Sequence, residues 1–145
     1  TRSRLRMTSL YYFAQINNYL VAGTGNKVED FGIGFFTKYG DGGVDLSPIA
    51  DLLKTEVFLL SKELNIINDI LIAPPTDGLW EEEKTDEDQI GATYEELEWA
   101  MNLDDLNKNL SKREQEVLTI YTKLNKANKH KTLPIPICLI PEDLK

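Results

Sequence analysis

The apolar positions of the chain fall into four helical stripes separated by turn-rich stretches. Met7, Leu10, Tyr11, Ala14 and Val21 recur at spacings of three and four, which predicts a helix over Arg2–Tyr19 with one buried face. Leu20–Ala22 is a short apolar run that ends in Gly23-Thr24-Gly25-Asn26, the pattern of a buried strand entering a glycine-rich loop. Ser47 and Pro48 suit the N-cap and first position of a second helix, with Ile49, Leu53, Val57, Leu60 and Leu64 as its apolar face. Asn68–Pro75 passes through a brief apolar stretch to a Pro-Pro break, and Thr76-Asp77-Gly78 follows as a turn. Thr93 with Glu96 and Ser111 with Glu114 are capping boxes. The first opens a helix through Trp99 and Met101. The second opens one whose buried stripe is Val117, Leu118, Tyr121 and Leu124. Pro134, Pro136 and Pro141 keep the end of the chain extended.

Between these stripes lies Gly34–Asp45, reading GFFTKYGDGGVD. Seven of the nine glycines lie between Gly23 and Gly43, so one region carries nearly all the special backbone. Glycines admit close approach of a ligand or φ > 0. Lys38 among them can meet a phosphate, and an aspartate can hold a polar ligand group or a metal. A solvated Gly/Asp turn is the plainer alternative. Glu29 lies within reach of the preceding loop, and ligands of open α/β sheets sit at such carboxyl ends of strands. The spacing is not that of a dinucleotide fingerprint. Arg4 stands at the edge of the first helix's face, as a surface residue or a ligand contact. Lys54, in the second helix, and His130, in the basic stretch Lys126–Lys131, read on their own as solvated. Glu81–Asp88 holds six acids and one lysine, the composition of a solvated or mobile loop rather than a metal site.

The 145 residues suffice for one domain with a real core. A net charge of −8 argues against nucleic-acid or acidic-membrane partners, while leaving room for a local cationic pocket. Cys138, the only cysteine, excludes an internal disulfide and suits a reducing, cytoplasmic setting; its apolar neighbours predict a buried filler. One histidine removes most metal-cluster and triad schemes. No run is long and apolar enough to span a bilayer, and no signal peptide opens the chain.

GTGNKVE at Gly23–Glu29, FTKYGDGGVD at Phe36–Asp45, PIADLLKT at Pro48–Thr55, APPTDGLW at Ala73–Trp80, TDEDQIGATYEEL at Thr85–Leu97 and the pair His130–Lys131 occur in one order with close spacing. Together with RLRM at Arg4–Met7, they resemble the ammonia-dependent NAD synthetases, and equally the synthetase domain of their glutamine-dependent relatives. The resemblance implies an α/β fold: a doubly wound parallel sheet of the adenine-nucleotide hydrolase (ATP pyrophosphatase) type, here an incomplete sheet with flanking helices. It implies a homodimer that forms NAD from deamido-NAD, ATP and ammonia through an acyl adenylate, releasing pyrophosphate and AMP. Position by position, Thr24, Lys54 and Thr76 match ATP contacts, and Glu29 matches a Mg²⁺ ligand. Lys38 and Asp45 match residues at the reacting end of deamido-NAD, and Arg4, His130 and Lys131 match further dinucleotide contacts. One residue more than in many members separates Glu29 from Phe36. The family's pyrophosphate loop, a serine-glycine-glycine-x-aspartate-serine motif, does not occur in these residues. Residues 1–145 are therefore expected to be the C-terminal part of one such domain, inactive alone. Another amide-forming ATP pyrophosphatase, or a non-catalytic dimerising module, are the alternatives.

Overall fold

The structure, a computed structural model, describes residues 1–76, 84–103 and 109–145. Its core forms where three elements meet. A short π-helix, Lys27–Ile33, buries Val28 and Ile33. Helix α5 (Tyr94–Met101) adds Tyr94, Leu97 and Ala100, and α6 (Lys112–Asn128) adds Val117. Phe35, Leu118, Tyr121 and Leu124 pack around them. Both capping boxes form as the sequence implies: Thr93 and Ser111 accept from the backbone N–H groups of Glu96 and Glu114, and those glutamates accept in return from the cap N–H groups.

The other α-helices among the described residues are α1 (Arg2–Asn17), α2 (Lys54–Glu63), α3 (Asn68–Leu71) and α4 (Asp86–Ile90). Helix α1 lies against the Gly34–Asp45 loop. Ser3 is buried there and donates to Asp41 Oδ1 at 2.5 Å, while the Asp41 N–H donates to Ser3 Oγ at 2.9 Å. Ala14 is buried as expected, but Leu10 is 57% exposed, because the helix has a neighbour along only part of its length.

Several expectations need correction. The predicted strand Leu20–Ala22 is reduced, among the described residues, to one parallel bridge between Ala22 and Leu46. Gly23 N–H donates to the Leu46 carbonyl at 2.7 Å and Asp45 N–H to that of Val21 at 2.9 Å. A single parallel rung with an exposed Leu20 beside it does not build a sheet. The second helix begins at Lys54, not at Ser47–Pro48. Residues 48–51 are turns, and Glu56 accepts from the Leu53 N–H at 2.7 Å, closing the helix start there. Its expected apolar face is open, with Leu60 and Leu64 exposed. In the acidic run, residues 81–83 lie outside the described residues, but Asp86–Asp88 are helical rather than a loop. Thr85 Oγ1 accepts from the Asp88 N–H and Asp88 Oδ2 from the Thr85 N–H, so the acids fill the first turn of α4, where the helix dipole favours them. Cys138 is exposed, since the proline-rich tail runs extended with Ile137 and Leu139 also in solvent.

Candidate nucleotide site

The glycine-rich turn ends at Asn26, which is buried and caps the π-helix. Its Oδ1 accepts from the N–H groups of Val28 and Glu29, both at 3.1 Å, and its Nδ2 donates to Glu29 Oε2 at 2.5 Å. The Glu29 carboxylate is thereby fixed at the edge of the core. Its Oε1 accepts from Lys54 Nζ at 3.1 Å and from the Tyr94 hydroxyl. The two members of the ion pair keep only 16% and 22% of their side-chain exposure, which raises its electrostatic weight above that of a surface pair. Lys54 also stands 4.7 Å from the centre of the Tyr94 ring. Burial, then the Glu29 charge and hydrogen bond, push the Tyr94 hydroxyl well above its ordinary pKa, so it remains a donor. Next to the pair, burial and the charges of Glu29 and Asp41 raise the Asp30 carboxyl to about 6. Its oxygens fill the space a Cβ on Gly25 would need, so a side chain there would have to displace the Asp30 carboxylate.

Glu29 lies within the π-helix. A π-turn takes one more residue than an α-turn, and such turns concentrate at functional sites. Gly34 closes it with φ 62°, a conformation that favours glycine. Helix α6 then binds carbonyls at the end of the π-helix: Asn125 Nδ2 donates to that of Gly32 at 2.6 Å and Asn128 Nδ2 to that of Ile33 at 2.9 Å.

A second group gathers at the far end of the loop. Lys131 Nζ donates to the carbonyls of Gly34 and Phe36 at 2.8 and 2.6 Å, and burial lowers its pKa. Lys38 Nζ donates to the His130 carbonyl at 2.7 Å, and Arg4 reaches the Lys38 carbonyl at 3.5 Å. Arg4, Lys38, His130 and Lys131, spread over the chain, are thus neighbours. The His130 ring is exposed, with Nδ1 3.1 Å from the Ala127 carbonyl. Asp45 sits apart: Oδ1 accepts from the Tyr11 hydroxyl at 3.1 Å and Oδ2 from the Val21 N–H at 2.8 Å. Beside Lys131 opens a cavity of about 530 Å³, lined by Thr24, Gly34, Phe36, Asp41 and Lys131 among others, a size that suits a small-molecule ligand; Glu29, Lys54, Lys38, Arg4 and His130 are not among its lining residues. Thr76 is exposed at the end of a described segment, and the structure joins it to neither group.

Three residues of this arrangement escaped the sequence reading: Asn26, Tyr94 and Glu98. For Asn26 there was a signal, since an asparagine just before Lys27-Val28-Glu29 is an N-cap pattern. Glu98 is buried and accepts from Thr55 through both oxygens. Nothing in the sequence distinguishes it from its neighbours Glu95 and Glu96.

Among the described residues, no group of three or more His, Cys, Asp or Glu side chains is placed to hold a metal ion by itself. Glu29 nevertheless offers hard oxygen donors, and Oε2 accepts a single hydrogen bond among the described residues. Mg²⁺ characteristically takes one or two protein carboxylates and draws its remaining ligands from water and phosphate, so this donor fits that ion.

A lysine–carboxylate pair beyond a glycine-rich turn, and a cavity with Lys131 in its wall, make a candidate site for an anionic small molecule. The chain belongs to the NAD synthase family, whose profile matches residues 1–134. It is 42% identical over 144 residues to the NH3-dependent NAD+ synthetase of Syntrophomonas wolfei, a match that covers 99% of this chain and 54% of that protein. Against the enzyme of the same name from Methanococcoides burtonii it is 53% identical over 97 residues, covering 67% of this chain and 36% of that one. The NMN synthetase of Francisella tularensis superposes with a TM-score of 0.75 at 36% identity, covering 97% of this chain and 54% of that chain. The NH3-dependent NAD synthetase of Campylobacter jejuni, in complex with nitrate, gives 0.67 at 26% identity over 95% of this chain and 53% of that chain. The chain thus spans about half the length, or less, of the relatives it matches.

Proposed function

We propose that this chain forms part of an ammonia-dependent NAD synthetase, a ligase that makes NAD from deamido-NAD, ATP and ammonia. The observation that carries the proposal is the Glu29–Lys54 contact at 3.1 Å. It joins two residues 25 positions apart, which the family resemblance assigns to the same nucleotide, one as metal ligand and one as phosphate contact. In the first step the nicotinate carboxylate attacks the α-phosphate of ATP and pyrophosphate leaves. In the second, ammonia displaces AMP from the acyl adenylate. Charge grows on phosphate oxygens during the first step, so a fixed ammonium such as Lys54 acts there by electrostatic stabilisation. Mg²⁺, held by Glu29, would neutralise phosphate charge. Thr24 and Thr76 complete the ATP contacts in this proposal. Lys38 and Asp45 act at the reacting end of deamido-NAD, with Arg4, His130 and Lys131 along the rest of the dinucleotide. Each lysine has donors to spare: of three N–H bonds, Lys131 commits two and Lys38 one to carbonyls.

The same reading extends to architecture. The Ala22–Leu46 rung is one part of a doubly wound parallel sheet of the ATP pyrophosphatase type, and residues 1–145 are the C-terminal part of that domain. Apolar side chains exposed on α1, such as Leu5, Phe13 and Ile16, support assembly as a homodimer. No helix among the described residues is long and apolar enough to cross a membrane. A cytoplasmic location is part of this proposal. The 145 residues alone are expected to be inactive, because the resemblance puts the backbone donors for pyrophosphate in another segment.

A second reading comes from the Francisella tularensis structure, which is described as an NMN synthetase. The amidated substrate would then be a mononucleotide. The deciding experiment gives the full-length protein ATP, Mg²⁺ and ammonia with either the deamido dinucleotide or nicotinate mononucleotide, and measures AMP and the amide product. Preference for the dinucleotide supports the proposal, preference for the mononucleotide supports the second reading, and AMP from neither refutes both.

A further inference from the structure

Helix α5 presents Tyr94 and Glu98 one turn apart on the same face, and both are buried. The Tyr94 hydroxyl donates to Glu29 Oε1, the oxygen that also takes Lys54 Nζ. Its ring stands against the same ammonium at 4.7 Å. One turn on, Glu98 Oε1 accepts from the Thr55 N–H at 3.0 Å and Oε2 from the Thr55 hydroxyl at 2.8 Å. The Thr55 N–H is one of the first-turn donors that a helix leaves without an internal partner, and Thr55 directly follows Lys54. One helix therefore grips both halves of the ion pair: the carboxylate through Tyr94, and the backbone that carries the ammonium through Glu98. A buried carboxylate is costly unless its oxygens are satisfied, and here the donors that satisfy Glu98 belong to the residue next to Lys54.

We propose that Tyr94 and Glu98 are positioning residues that hold Glu29 and Lys54 in register as one unit at the phosphate end of the nucleotide. This rests on the reading of that site as an ATP site. Neither residue need touch ATP; they act through the pair. Losing the hydroxyl would let Glu29 turn away from Lys54. Losing a Glu98 oxygen would free the first turn of α2 and, with it, the base of the lysine.

The test uses the full-length protein with Tyr94→Phe, which keeps the ring and its packing, and Glu98→Gln, which keeps size but offers one acceptor instead of two. Each is expected to lower kcat/KM for ATP by roughly 10- to 100-fold, as loss of a hydrogen bond to a charged group does, and to leave KM for the pyridine substrate near wild type. In a Lys54→Ala background Tyr94→Phe should cost little further, because the two act through one contact. A second readout needs no turnover. The rate at which acetic anhydride acylates Lys54, followed by peptide mass spectrometry with exposed Lys62 as internal standard, should rise in both variants as the pair loosens. Equal losses toward both substrates, full additivity with Lys54→Ala, or unchanged Lys54 acylation would each overturn the inference. Should the wild-type protein form no AMP at all, the ligase reading fails, and the acylation rates alone decide whether these residues hold the pair.

Discussion

Replacing Asn26 by aspartate separates two jobs that one buried side chain performs. The Oδ1 job is N-capping, since it accepts from the Val28 and Glu29 N–H groups. Aspartate caps as well as asparagine, so that job survives. The Nδ2 job is to donate to Glu29 Oε2 at 2.5 Å, and there aspartate puts an oxygen where a donor stood. Two carboxylates about 4 Å apart at an effective dielectric near 20 repel by about 4 kcal/mol, and Lys54 on the other Glu29 oxygen offsets part of this. The lost amide hydrogen bond to a charged group adds about 2 kcal/mol. A net loss of roughly 3 kcal/mol at pH 8 corresponds to a fall in Tm of about 10 °C for a domain of this size. The pH dependence has a definite sign. Repulsion raises the folded-state pKa of the carboxylate pair above its unfolded value, so the pair shares a proton and is stable at low pH, then loses stability as pH rises through the raised pKa. Asn26→Ala loses the cap and the amide at every pH, about 1–2 kcal/mol for the cap alone, with no new titration. Thermal denaturation from pH 4.5 to 8 should therefore show Asn26→Asp losing ground to Asn26→Ala as pH rises, from a clear advantage in acid to about equal stability in base. Parallel curves would refute the assignment of the Asn26 amide to Glu29.

Lys38→Ala should lower turnover roughly 100- to 1,000-fold and weaken use of the dinucleotide more than of ATP, by removal of one positioned cation at a developing charge; normal dinucleotide kinetics would remove Lys38 from the site. Gly34→Ala forces a Cβ into the left-handed region at φ 62° and to within 2.5 Å of the Asn128 Cβ. The conformation alone costs about 1–2 kcal/mol, so the urea midpoint should drop. Hydrogen bonds from Arg113, then from Thr93, hold the Glu96 carboxyl below its ordinary pKa of 4.5, so the stability it contributes is present above that pH and is lost as pH falls through the lower folded value. Arg113→Met should lower Tm near neutrality, and the gap should close in acid; a gap that is constant down to pH 3 would show that the ion pair contributes nothing.

What the sequence made legible follows from how local each signal is. The capping boxes at Thr93 and Ser111 are written within four residues, and both formed. The helix predicted from Ser47–Pro48 was equally well written, yet Glu56 captured the Leu53 N–H and the helix starts at Lys54. That shift matters for function, because it moves Lys54 from a helix middle to a first turn, where Glu98 can grip its neighbour. The predicted strand fails to form for a related reason. Val21 is apolar and buried, but a strand needs partners, and the described residues supply it a single rung at Leu46.

For the site, residue types carried the signal where a ligand demands an unusual chemistry, and failed where the protein meets its own needs. Lysines and aspartates among glycines advertise themselves, and Lys38 and Asp45 stand out in a string of letters, while Lys131 entered only through the family resemblance. The structure shows each of them already bound to backbone groups, so part of what looked like ligand chemistry is loop architecture. The same holds for the glycines. Gly25 makes room for Asp30 and Gly34 closes the π-helix, so close approach serves the protein's own side chains and backbone. Tyr94 and Glu98 show the opposite failure. In the row TYEELE each reads as routine helix content, one apolar and one acidic, and only the arrival of Glu29 and Thr55 from 65 and 43 residues away gives them a task. Contacts of that separation have no local pattern, since the residues that need support and those that give it are specified independently. Positioning residues are for that reason the part of a site least accessible to a single sequence, and the part where coordinates add most.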